Sequence, residues 1–241
     1  MTISLIIPTT PNHFKYLKCV LNHYLNGTII PDEVIISISN SHQINRDVIN
    51  SLKNDFNNQF SRFLLVENDF RVEEGPNRGK GSEYSECDIL TYHDSDDLPH
   101  PQRIEIIKYF FENFDILHLN HSYTFETKFE NIDIKNIQYK SSDELYSKYF
   151  KGILSETRPS KVYDDNGNSL PYGSGFGWAI CGGPTSIKKE VLSKIKWGQT
   201  MDVSYDYDFS MDSLFYLKKS IIINTPLIWY NKIGNINWAC N

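Results

Sequence analysis

Three carboxylates fall within four positions at Asp94-Ser95-Asp96-Asp97, directly after the apolar and β-branched run 87–92. Like charges this close repel one another. A hard divalent cation that takes their oxygens together with those of a ligand diphosphate removes the repulsion. Read alone, the string is equally an ordinary solvated acidic turn, because Asp is common in turns. Upstream, Gly75-Pro76-Asn77-Arg78-Gly79-Lys80-Gly81 sets two cations among glycines. That composition suits contact with an anion or a nucleotide base, or else a flexible surface loop. It lacks the Gly-Lys-Ser/Thr ending of a P-loop. Downstream, residues 172–184 bring glycines beside large aromatics. Glycine lets a substrate approach the backbone closely, and Trp178 offers a flat apolar face to the C–H surface of a sugar or serves as a packing residue.

These residues need elements to hold them. The runs 3–7, 33–39, 63–66 and 87–92 are rich in Ile, Leu and Val and read as buried strands, separated by stretches with helical spacing: Phe14, Leu17, Val20, Leu21 and Tyr24, then Val48, Ile49, Leu52 and Phe56. Pro11 suits a first helical position, Gly27 a helix stop and Asn45 a helix cap. Strands alternating with helices predict a mostly parallel sheet, with Thr9, Ser39 and Asp94 all at strand C-terminal ends, the edge where open α/β sheets bind ligands. Residues 104–114 continue as a helix, and 115–121, 221–223 and 227–230 as further strands, with a helix expected from Thr185 or Ser186 through Leu192. His118 and His121 read as polar groups of a strand, since a hard cation on a diphosphate prefers oxygen ligands. The polar stretch 125–171 reads as a variable insertion over the acceptor side.

The chain has 241 residues, 40% of them hydrophobic, with a formal net charge of −6. That size predicts one domain, 1–241, with a nucleotide-binding half (1–100) and an acceptor-binding half (101–241). The acidic balance argues against a nucleic-acid surface, which needs clustered Lys and Arg. Cys19, Cys87, Cys181 and Cys240 are scattered without a Cys-x-x-Cys pair and read as reduced core thiols. Neither a signal peptide nor a transmembrane segment is legible, so a soluble, cytoplasmic protein is expected.

In order and spacing, residues 3–8, 33–41, 78–81 and 94–97 resemble the nucleotide-binding half of GT-A fold glycosyltransferases, in particular the inverting family two. Arg78-Gly79-Lys80-Gly81 fits the family's Ala-Arg-Asn-x-Gly signature, with Gly79 in place of the usual Asn. The family's Asp-x-Asp-Asp strand end corresponds to Asp94–Asp97. Ser39 stands where the family commonly has an Asp that reads uracil. Tyr205-Asp206-Tyr207-Asp208 is similar to the family's Glu-Asp-x-Asp segment, with Tyr205 in the Glu position, although by itself it reads as an acidic helix start.

The resemblance implies a single GT-A domain of class α/β, with a Rossmann-like, mostly parallel central sheet flanked by helices. It implies a metal-dependent glycosyltransferase that moves a sugar from a nucleoside diphosphate sugar, a UDP-sugar being expected, to a hydroxyl on a glycan, protein or small molecule, with inversion. Asp96 would hold Mn²⁺ or Mg²⁺, with Asp94 assisting or lying nearer the ribose. Thr9, Ser39 and Arg78 would surround the nucleoside, Trp178 would line the donor-sugar pocket, and Asp206 would be the general base. Two other readings share features with this one. A sugar nucleotidyltransferase would ordinarily carry a glycine-rich basic loop after the first strand, where this chain has Pro8-Thr9-Thr10-Pro11. An inactive binding module that kept the fold would account for Ser39, Gly79 and Tyr205.

Overall fold

The computed structural model describes residues 1–125, 128–149, 184–198 and 205–231. Four strands alternate with helices at the start of the chain: β1 (Ile3–Thr9), α1 (Leu17–Leu25), β2 (Glu33–Ile38), α2 (Arg46–Phe56), β3 (Arg62–Glu67), α3 (Glu74–Glu83) and β4 (Ile89–Tyr92). Next come β5 (Leu98–Pro99), α4 (Arg103–Asn113), β6 (His118–Thr124), β7 (Tyr139–Ser141) and α5 (Ser142–Tyr149). The remaining described elements are β8 (Thr185–Lys188), α6 (Tyr205–Asp212) and β9 (Ser220–Trp229). The nine strands of the described residues form one sheet in the order β3-β2-β1-β4-β8-β6-β9-β5, with β7 also paired to β9. The pairs β1·β2, β2·β3, β1·β4 and β6·β9 are parallel. β8 runs antiparallel between β4 and β6.

Both faces of the sheet are covered, which is why the early strands read as continuous apolar runs. Successive side chains go to opposite sides. Ile3, Leu5 and Ile7 of β1 join Val34 and Ile36 of β2 in a core with Leu17 and Val20 of α1, Ile49 and Leu52 of α2, and Ile107 and Phe111 of α4. Ile6 and Ile35 point the other way, into a second core with Tyr92, Ile187, Trp197 and Phe209 of α6.

Several expectations are corrected. The glycine-punctuated string 75–81 is not a loop but most of α3. Its glycines serve close packing: a Cβ on Gly81 would stand 2.8 Å from Ile6 Cγ2 and 3.4 Å from Ser37 Cβ, so only glycine lets the helix lie this near β1 and β2. The helix expected from 185 is a strand, β8, followed by a 3-10 turn at Lys189–Ser193. The cause is pairing on both sides, Leu90 with Ile187 and Leu119 with Ser186, a tertiary effect that local spacing does not carry. The two runs expected at 221–223 and 227–230 belong to one strand, β9, whose register against β6 shifts between His121 and Tyr123. Cys19 is disulfide-bonded, against the expectation of four reduced thiols, and among the described residues Cys87 is the free one. Spacing along a chain does not reveal which cysteines a fold brings together. Among the described residues no helix is long and apolar enough to cross a membrane.

Candidate active site

A cavity of about 490 Å³ opens at the C-terminal edge of β1, β2 and β4. Its wall is built from the end of β1 and the turn after it (Pro8 to His13), the turn after β2 (Ser39, Asn40, Gln43), the entry to α3 (Arg71 to Glu74, Asn77), the acidic turn after β4 (Asp94 to Asp96) and Tyr230 after β9. Thr9, Ser39, Asp94 and Asp96 thus share one cavity, as parallel strands require of residues at equivalent ends. Trp178 lies outside the described residues.

The half formed by β1 and β2 is cross-tied by hydrogen bonds. Ser39 N–H donates to Thr9 O at 2.9 Å, and Ser39 Oγ accepts from Val72 N–H at 2.8 Å. Asn40 takes a left-handed conformation (φ 54°) that Asn tolerates, turning the chain away from the sheet. Asn77 is almost wholly buried. Its Oδ1 accepts from Ser37 Oγ at 2.6 Å, and its Nδ2 donates to Ser37 O at 2.9 Å and Thr9 O at 3.4 Å. The side chain therefore ties the start of α3 to two strand ends.

Arg78 sits elsewhere than expected. It is fully buried behind the cavity wall, where its Nη2 donates to Asp94 Oδ1 at 2.5 Å and also to Glu74 Oε1. The guanidinium carbon lies 5.2 Å from the Trp197 ring centroid. Arg78 therefore fixes Asp94 and does not itself line the cavity. Trp197 in turn stacks on Phe209 of α6 at 4.0 Å and 6°, and meets Tyr92 edge-on at 4.8 Å. This stack seats α6, the helix that carries Asp206, beside β4 and α3. The side chain of Asp206 lies outside the described residues.

The three acids of the turn differ. Asp94 is held by Arg78. Asp96 faces the cavity with His13 Nδ1 3.9 Å from its Oδ2, and burial, with repulsion from Asp94, raises its pKa above the ordinary carboxylate value. Asp97 points inward, buried, and its Oδ1 accepts from Asn231 N–H at 2.9 Å. Burial, then the charge on Asp94, pushes its pKa well above the usual range. Beneath the turn, buried Arg103 donates to Tyr92 O (2.7 Å), Thr91 Oγ1 (3.0 Å), Tyr24 Oη (2.6 Å) and His121 Nε2 (3.3 Å).

These donors fit a hard cation. Two carboxylates, Asp94 and Asp96, face one cavity with unfavourable mutual charge, which a divalent ion would relieve. Among the described residues no group of three or more His, Cys, Asp or Glu could hold a metal, so a cation here would complete its shell with oxygens from ligand and water. The histidines of β6 do not line this cavity: both are buried, and His121 uses both ring nitrogens within the protein.

Sequence reasoning missed His13, Arg71, Glu73, Asn77 and Tyr230 as cavity residues. Asn77 had a usable signal, since it stands beside Arg78 in the singled-out string. Tyr230 had none, because strand pairing alone brings residue 230 to the turn at 94.

The model of glycosyl transferase family 2 matches residues 4–170. No curated protein matches the sequence. Among solved structures, S. aureus TarS 1–349 in complex with UDP-GlcNAc superposes with a TM-score of 0.64 at 14% identity, over 96% of this chain and 59% of that one. Glucosyl-3-phosphoglycerate synthase from Mycobacterium tuberculosis, in complex with Mn²⁺, UDP and glucosyl-3-phosphoglycerate, superposes with a TM-score of 0.57 at 14% identity, over 96% of this chain and 72% of that one. This chain thus spans about three-fifths of the length of the TarS structure. At such identity these likenesses establish the GT-A fold, a mixed α/β domain with a mostly parallel sheet.

Proposed function

The chain belongs to glycosyl transferase family 2, and from that membership we propose that the cavity binds a nucleoside diphosphate sugar, with UDP as the nucleotide, and transfers the sugar to a hydroxyl acceptor. The observation that carries the reading is the acidic turn itself: Asp94 and Asp96 face a cavity at the ligand-binding edge of the sheet, and Asp94 is braced from behind by a buried arginine. Neighbours of the same fold crystallised with UDP, UDP-GlcNAc or Mn²⁺ support the ligand class.

In this reading residues 1–100 supply the nucleotide half and 101–241 the acceptor half. Thr9 and Ser39 bound the nucleoside. Asp96, assisted by Asp94, would hold Mn²⁺ or Mg²⁺, which when bound supplies positive charge against the leaving diphosphate. Arg78 acts through Asp94, fixing the carboxylate where the cation and ribose need it. Asp206 on α6 takes the proton of the attacking hydroxyl, and Trp178 lines the donor sugar. A single displacement at the anomeric carbon inverts its configuration.

Calorimetry and thermal shift with UDP, with and without Mn²⁺, test this on the parent and on Asp96→Ala. UDP at a hundredfold excess over its Kd should stabilise the parent by about 2.7 kcal/mol. The Mn²⁺-dependent part should vanish in the variant, while the apo fold is as stable or more so, because a repelling charge has gone. Undiminished Mn²⁺-dependent affinity in Asp96→Ala would remove the metal assignment.

A further inference from the structure

β6 and β9 run parallel and end side by side in three aromatic rings. Tyr123 and Tyr230 lie 5.3 Å apart, Tyr123 and Phe125 5.4 Å, and Phe125 and Tyr230 5.9 Å, the last two pairs edge-to-face. Most large apolar side chains of the described residues are buried, yet Phe125 is 55% exposed and Tyr230 42%. Their backbone is fixed nonetheless: Tyr230 N–H donates to Thr124 O at 2.8 Å and Trp229 Nε1 to Phe125 O at 3.1 Å. The cluster is thus a preformed surface at the end of two paired strands. It is also continuous with the cavity, because Tyr230 lines the cavity together with Asp94, Ser95 and Asp96.

We propose that Tyr123, Phe125 and Tyr230 form the acceptor subsite and that the acceptor is a carbohydrate, one pyranose ring lying with its C–H face on the aromatic cluster and its hydroxyls turned to the cavity. The proposal rests on the sugar-transfer reading above. Aromatic faces carry negative charge density and attract the polarised C–H bonds of a sugar. The neighbouring carboxylates, Asp94 and Asp96, and the Tyr230 hydroxyl suit the hydroxyl groups of a sugar. An acyl chain or apolar peptide would leave those carboxylates desolvated against apolar surface.

Saturation-transfer NMR tests this on the full chain, with methyl β-D-glucopyranoside, methyl β-D-galactopyranoside and methyl N-acetyl-β-D-glucosaminide as probes, each with and without UDP and Mn²⁺. At least one probe should bind, with saturation strongest on one C–H face. Phe125→Ala should weaken it by roughly 2- to 12-fold, the range for loss of one aromatic contact. Tyr230→Phe should retain the stacking and lose only the hydroxyl's share. Phe125 is more than half exposed, so its variant should fold, and an unchanged affinity for UDP by calorimetry confirms it. If the parent binds UDP but none of the three glycosides, or if Phe125→Ala leaves glycoside affinity unchanged, the subsite is refuted and the nucleotide reading stands. If Phe125→Ala weakens UDP-glucose or UDP-GlcNAc but not UDP, the rings serve the donor sugar and the proposal is overturned. If UDP itself does not bind the parent, the transfer reading fails, and glycoside binding in the nucleotide-free arm still decides whether the cluster takes a sugar.

Discussion

Replacing Arg78 with Met removes a guanidinium that is fully buried while leaving a flexible apolar chain of similar reach. Three contacts go. The charge-assisted bond to Asp94, whose side chain is one-quarter exposed, accounts for about 1.5–3 kcal/mol. The contact with Trp197 adds about 0.5–1 kcal/mol, and the bond to half-exposed Glu74 adds about 0.5 kcal/mol after solvent screening. Part of the sum returns as apolar packing of the Met side chain, leaving a net loss of about 3 kcal/mol. For a domain of this length that lowers Tm by about 6 °C. The functional consequence is sharper. If Arg78 acts on the nucleotide only through Asp94, Arg78→Met and Asp94→Asn should each weaken Mn²⁺-dependent UDP binding, and the double variant should be little worse than either. Calorimetry around this mutant cycle reads the coupling directly, with an expected value of about 1.5–3 kcal/mol. Effects that add to within about 0.5 kcal/mol would refute the reasoning and return Arg78 to direct contact with the ligand. Arg78→Lys should not rescue, since an ammonium has no planar fork to reach two carboxylates and lie beside an aromatic ring.

Two glycines of α3 should respond with opposite signs. Gly79→Ala puts a Cβ at an ordinary 3.7 Å from Trp197 Cβ and should stabilise by up to about 1 kcal/mol, whereas Gly81→Ala drives into Ile6 and should destabilise by about 1 kcal/mol net in urea unfolding. His118 is buried with neither ring nitrogen hydrogen-bonded, and its folded-state pKa of about 3 lies below the unfolded value. Its penalty is therefore absent above the unfolded pKa and grows as pH falls, reaching about 2 kcal/mol at pH 5. His118→Leu should be more stable at neutral pH by about 1 kcal/mol and lose that part of the acid limb, and equal pH slopes in parent and variant would contradict this. Asp206→Asn should lower turnover by about two to four orders of magnitude with UDP affinity near parental, while Asp208→Asn, two positions on and off that face of α6, should matter much less.

β1, β2 and β4 were legible because each is buried along its whole length, and an unbroken apolar run has few other uses; β3, at the sheet edge, still shows the apolar run Phe63–Val66. The acidic turn was legible for the opposite reason, since three carboxylates at the end of such a run contradict local comfort and call for a partner. What escaped was set by contacts between distant segments. Glycines at 75, 79 and 81 argue against a helix by propensity alone, yet the close approach of Gly81 to Ile6 makes a small residue the condition for the helix to dock. β8 is a strand because β4 and β6 flank it, which nothing in Thr185–Lys188 announces. Arg78 was expected at the nucleotide and lies behind the cavity wall: charge in a glycine-rich string suggested exposure to a ligand, and only the structure supplies the carboxylates that pair with it. Tyr230 joins the cavity through the pairing of Leu98 with Trp229, across 131 positions of chain.

That pairing has a kinetic consequence. The acidic turn is closed by residues made much later: Asp97 accepts its hydrogen bond from Asn231, and His100 N–H donates to Leu227 O at 2.9 Å. A growing chain on the ribosome can assemble β1 to β4 from neighbouring segments as they emerge, but Asp97 has no counterpart for its buried carboxylate until β9 arrives. Contacts of such sequence separation form late because of their loop-closure entropy. The nascent protein therefore carries an unfinished acidic turn while residues 98–230 are made, and competence to hold a ligand should switch on in one step when the strand at 220–229 docks.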